Sequence, residues 1–90
     1  MTATLIVRHP VADFPTWKGV YEEVGSLRDA HGCTGDRVFV APGDANDVLV
    51  VHDFPSVDQA QAFAADPALG EAMGRAGVAA PPRIEIFESA

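Results

Sequence analysis

Basic residues are scarce in this chain: 6 Lys and Arg stand against 13 Asp and Glu, for a net charge of −7. With no basic run to neutralise a row of phosphates or anionic headgroups, neither nucleic acid nor a membrane surface is expected as a partner. Cysteine is nearly absent, and the single Cys33 excludes an internal disulfide. It lies in Gly32-Cys33-Thr34-Gly35 with no charged neighbour, which reads as a bystander thiol. No apolar run approaches the roughly 20 residues needed to cross a bilayer. The opening Met1-Thr2-Ala3-Thr4-Leu5 lacks a basic leader, so a cytosolic protein is expected. Two histidines and Asp53 are the only groups suggestive of a metal site, and none of the compact ligand spacings occurs, so neither a metal nor another cofactor is expected.

What is present is the patterning of one small domain over residues 1–90, with an ordinary apolar content of 48%. Ala3 to His9 alternates as a strand and Pro10 ends it. From Asp13, a reasonable N-cap, Phe14, Trp17, Val20, Tyr21, Val24 and Leu27 fall on one stripe of a helix of about four turns. Lys18, Glu22, Glu23 and Arg28 take the remaining positions, and Gly32 is the terminator. Strands at Arg37 to Ala41 and Asp47 to His52 flank the reversal Pro42-Gly43-Asp44-Ala45-Asn46. Ser56 with Gln59 forms a capping-box signature for a helix with Val57, Ala60, Phe63 and Ala64 inward. Asp66-Pro67 opens a second short helix that buries Leu69, Ala72, Met73 and Ala76 and ends at Gly77. Arg83 to Glu88 is the last strand.

That order predicts an α+β, ferredoxin-like βαββαβ domain: a four-stranded antiparallel sheet with its helices on one face. Asp13-Phe14-Pro15-Thr16 and Asp53-Phe54-Pro55-Ser56 form a weak internal echo at the two strand-to-helix joints. The first and third strands, read as parallel neighbours at the centre, carry apolar residues on both sides: Leu5 and Val7 alternate with Ile6, and Val48 and Val50 with Leu49 and Val51. Each such residue left wet forfeits roughly 1.5–3 kcal/mol, and only Ser89 and Ala90 follow the last strand to cover the second face. A homodimer formed sheet against sheet is therefore expected.

The chain resembles the dimeric α+β barrel superfamily, in particular the small proteins related to antibiotic biosynthesis monooxygenases. The resemblance covers nearly the whole chain. It is carried by the opening strand with His9, by Asp13-Phe14-Pro15-Thr16-Trp17-Lys18, and by Arg37-Val38-Phe39 leading to Asp44-Ala45-Asn46-Asp47-Val48. It continues in Asp66-Pro67-Ala68-Leu69 and Arg75-Ala76-Gly77-Val78. The resemblance implies a homodimer whose sheets close into a barrel, with a small-ligand cavity between sheet and helices. It also implies a choice between cofactor-independent oxygenases of aromatic polyphenols, haem-degrading enzymes, isomerases and members without known activity. The sequence has no clear match to the Asn, Trp and His set of the haem-degrading branch, so haem is not carried over.

Within that frame His9 and His52 are the candidate catalytic residues. Their strand parity matches, and parallel neighbouring strands would place them near the same ends, at the mouth of the cavity, able to move protons near neutral pH. Strand-end residues satisfied by backbone or water are the alternative. Trp17 and Tyr21, four apart on the helical stripe, together with Phe63 and Met73 on the opposite wall, are candidate substrate-binding residues; core packing would explain all four as well. His31 is expected only to sit favourably at a helix end. Arg8, Arg37, Arg83 and Glu85 are expected on the outer face, pairing across the dimer seam. Two functions follow. One is a cofactor-free monooxygenase-like or isomerase enzyme acting on a small aromatic or polyketide-like molecule. The other is a non-catalytic ligand-binding or stress-related module, and a tightly packed interior with no room for a ligand would favour a purely structural dimer instead.

Overall fold

The computed structural model describes residues 2–90. Its elements run β1 (Ala3–Pro10), α1 (Phe14–Glu23), α2 (Gly25–Ala30), β2 (Gly35–Ala41), β3 (Asp44–Phe54), α3 (Val57–Ala65), α4 (Pro67–Arg75) and β4 (Arg83–Glu88). Asp13 caps α1 by accepting from the Thr16 N–H, and Asp66 caps α4 by accepting from the Ala68 N–H, with Pro67 in the first turn. The long first helix is two helices. Val24, at φ −91° and ψ 18°, breaks it, and the poor helix formers Gly25 and Ser26 follow immediately. The reversal is tighter than expected, since Pro42 and Gly43 alone make the turn and Asp44 already pairs with Ala41. Gly43, at φ +82°, takes the left-handed conformation that a type II turn places after its proline and that glycine adopts freely. A register shift between Val40 and Ala41 absorbs the extra residues of β3.

The sheet order is β2-β3-β1-β4, with every neighbouring pair antiparallel. This corrects the parallel reading of the first and third strands. The helical segment after β1 carries the chain back so that β2 runs with β1, and the hairpin then turns β3 against both. His9 pairs with Val48 and His52 with Leu5, so the two histidines are four register steps apart, roughly 13 Å, and not at the same end.

The matching parity of the two histidines, in contrast, is as expected, and the face they share is the one that meets the helices. Leu5, Val7 and His9 face the helices with Val48, Val50, His52 and Phe54, and all seven are buried. The core forms two clusters. Leu5, Val7, Phe54, Ala60 and Phe63 pack under α3, and Val11, Trp17, Val48, Val50 and Ala76 pack under α1. The opposite face carries Ile6, Leu49 and Val51, with Phe39 44% and Phe87 55% exposed.

Candidate functional site

A cavity of about 50 Å³ lies between sheet and helices, at the join of the two core clusters. All six sequence-predicted site residues line it: His9, His52, Trp17, Tyr21, Phe63 and Met73. The rings follow one another across the space. His9 sits edge-on to Trp17 at 5.8 Å between centroids, Trp17 stacks on Tyr21 at 5.0 Å, Tyr21 leans on His52 at 6.4 Å, and His52 meets Phe63 at 5.2 Å. The spacing of Trp17 and Tyr21 on α1 makes this possible, because residues four apart share a helix face. Each histidine therefore attends a different end of the cavity, and the two do not share one reacting atom.

Both imidazoles are almost sealed from water, at 3% exposed for His9 and 4% for His52. Both ring nitrogens of His9 and Nδ1 of His52 lack a hydrogen-bond partner among the described residues. Buried polar atoms are ordinarily paired, so unpartnered nitrogens on a cavity wall mark where a ligand atom or water can sit. Burial lowers the pKa of His9. Burial, and then the nearby positive charge of Arg28, push His52 down to about 4 against an opposing pull from Asp36. Both are neutral at pH 7. The Tyr21 hydroxyl donates to Asp36 Oδ2, and burial together with that bond raises its pKa, so it stays protonated.

Sequence comparison identifies no relative: no protein-family model matches the chain, and no curated protein matches it. The fold does find counterparts among solved structures. A candidate antibiotic biosynthesis monooxygenase from Bordetella bronchiseptica superposes with a TM-score of 0.82 at 17% identity, over 99% of this chain and 97% of that one. SnoaB, a cofactor-independent oxygenase from Streptomyces nogalater, gives 0.80 at 12% identity, over 99% and 93%. A further candidate monooxygenase, from Caulobacter crescentus, gives 0.78 at 15%, over 99% and 90%. The chain has the antibiotic biosynthesis monooxygenase fold.

On that fold, residues outside the expected set also reach the site. Arg28 lines the cavity, with its guanidinium carbon 3.8 Å from the centre of the Tyr21 ring. Arg28 was expected off the apolar stripe with Lys18, Glu22 and Glu23, and the helix break at Val24, which the sequence pattern hides, separates it from the face numbering of α1. Asp36, on the edge strand β2, holds the Tyr21 hydroxyl and carries no periodic signature. His31 does more than complement a helix end. Its Nε2 lies 2.8 Å from Asp66 Oδ2, tying α2 to the start of α4. On the outer face Arg8 pairs with Asp47 at 2.7 Å and Arg83 with Glu85 at 3.1 Å, so both already have partners within the chain. Asp53 faces away from His52 and accepts from the Thr4 hydroxyl at 3.1 Å. Among the described residues no three His, Cys, Asp or Glu side chains gather to hold a metal ion, and no helix is long and apolar enough to cross a membrane.

Proposed function

We propose that the cavity receives a small aromatic or polyketide-like molecule and that the protein is a cofactor-independent oxygenase or isomerase, with His52 as the proton-handling group. The observation that carries this reading is the pair of sealed imidazoles with unpartnered nitrogens on a wall that, Arg28 apart, is apolar and aromatic. An imidazole held near 4 is a weak base in the free protein. It takes up a proton when a negative charge forms beside it, and abstraction of a proton from an activated substrate creates that charge. Arg28 stabilises the same anion. An electron-rich anion of this kind can pass electrons to dioxygen itself, or be reprotonated elsewhere, which gives the oxygenase and isomerase outcomes from one first step. Trp17 and Tyr21 orient the ring, and His9 meets a polar substituent at the far end.

One observation favours a purely structural dimer over both the enzyme and the binding module. The free volume of about 50 Å³ is far below the roughly 300–1,000 Å³ of a small-molecule site. Entry of a substrate requires the wall to open, and the unbranched Met73 in it adapts readily. Oxygen uptake with a panel of hydroxylated arenes separates the enzyme from the binding module. Consumption that His52→Leu abolishes supports the enzyme, and ligand binding with no turnover across the panel supports the module. The same reading has two copies pairing through the outer sheet face, where Phe39 and Phe87 stand exposed.

A further inference from the structure

Arg28 is the one permanently charged side chain in the wall of the cavity, and no carboxylate lines it. Nη1 donates to the Tyr21 carbonyl oxygen at 2.8 Å, and the plane is held over the Tyr21 ring. None of the ion pairs among the described residues includes it. The rest of the guanidinium fork makes no hydrogen bond to the described residues. A half-buried guanidinium fixed by one bond and one ring, with spare donors and lining the same cavity as sealed His52, whose Nδ1 is unpartnered, is a preformed receptor for an oxyanion. The whole molecule, at −7, repels anions, so any preference for one has to come from this local charge.

We propose, building on the ligand-site reading above, that the occupant is an arene bearing an oxygen already ionised near neutral pH, a carboxylate or an acidic hydroxyl. That oxygen binds Arg28 and the ring lies against Trp17 and Tyr21. Arg28 is then the residue that sets specificity, selecting the ionised ligand over its neutral isostere. The influence of Arg28 on His52 agrees with this placement, because it outweighs that of Asp36 at the imidazole.

Trp17 is the only tryptophan, so its emission reports the cavity directly. Titration with benzoate and with the neutral, isosteric benzamide is expected to give binding about tenfold or more tighter for benzoate, the scale of one charge-assisted contact. Arg28→Met is expected to abolish that ratio, and Arg28→Lys, which keeps the charge and loses the fork, to retain part of it. Should Arg28→Met not fold, the wild-type ratio and Arg28→Lys still decide. Equal binding of the two probes to the wild type, or a ratio unchanged in Arg28→Met, overturns the anion preference alone. Binding of neither probe overturns it together with the ligand-site reading.

Discussion

Leaving an imidazole sealed and unpartnered costs on the order of 1–3 kcal/mol, and His52 is held in that state by Phe54, Phe63 and Tyr21 packed around it. Replacing it with a side chain of similar size and no polar atoms should relieve the cost. His52→Leu is expected to raise stability by about 1 kcal/mol in urea unfolding at pH 7 and, on the proposed oxygenase reading, to abolish oxygen uptake. A loss of stability would mean that the imidazole is satisfied. The same residue sets a pH dependence. Its folded pKa, about 4, lies below the ordinary 6.5, so between those values the unfolded chain binds more protons than the folded one. Stability is then fully present above 6.5 and falls as the pH drops toward 4, by up to about 3 kcal/mol from His52. His9 adds in the same direction. Urea midpoints compared at pH 7 and 4.5 should show this loss in the wild type and a smaller one in His52→Leu. Of this residue-level picture, strand alternation gave the shared parity of the two histidines but not which face meets the helices. It could not give their separation, which depends on how the strands run.

Helix ends show how local chemistry and tertiary contacts divide the work. Ser56 accepts from the Gln59 N–H at 3.2 Å, as the capping signature requires, but the Gln59 side chain reaches across to the His31 carbonyl oxygen instead of back to Ser56 N–H. The echo between the two joints fails for a related reason: Asp13 is the cap of α1, whereas its counterpart Asp53 lies in β3 and Ser56 takes the capping role. Ser56→Ala should cost about 1 kcal/mol, read as a lowered melting temperature. Gly32 sits at φ +81°, and a Cβ there would fall 2.5 Å from Gln59 Nε2. Gly32→Ala should therefore destabilise by more than about 1 kcal/mol through backbone strain and loss of the Gln59 bridge, seen in the same melts. Element types and order were legible because each has its own period and punctuation. The break at Val24 was hidden under an unbroken apolar stripe, and the two-residue turn under a run of turn-favouring residues.

For the molecule as a whole, the unshielded side of the sheet is the largest unmet demand. Ile6, Leu49 and Val51 are only half-buried by their neighbours on that side, and Phe39 and Phe87 remain open. Analytical ultracentrifugation at micromolar concentration should find a dimer, and Phe39→Asp should shift it to monomer; a wild-type monomer would remove the second sheet from the picture. The apolar character of both faces was readable from the central strands, and it is what the expectation of a partner rests on, because one layer of helices covers only one face. The cavity's charge was not readable, because Arg28 gains its place from the helix break and from the Tyr21 ring. The most direct test of a ligand site built on a sealed, neutral imidazole is a histidine NMR titration of the free protein. His52 should keep its neutral chemical shifts through pH 5.5 and protonate only near 4. Protonation of His52 around 6.5, the value of an imidazole in water, would contradict it.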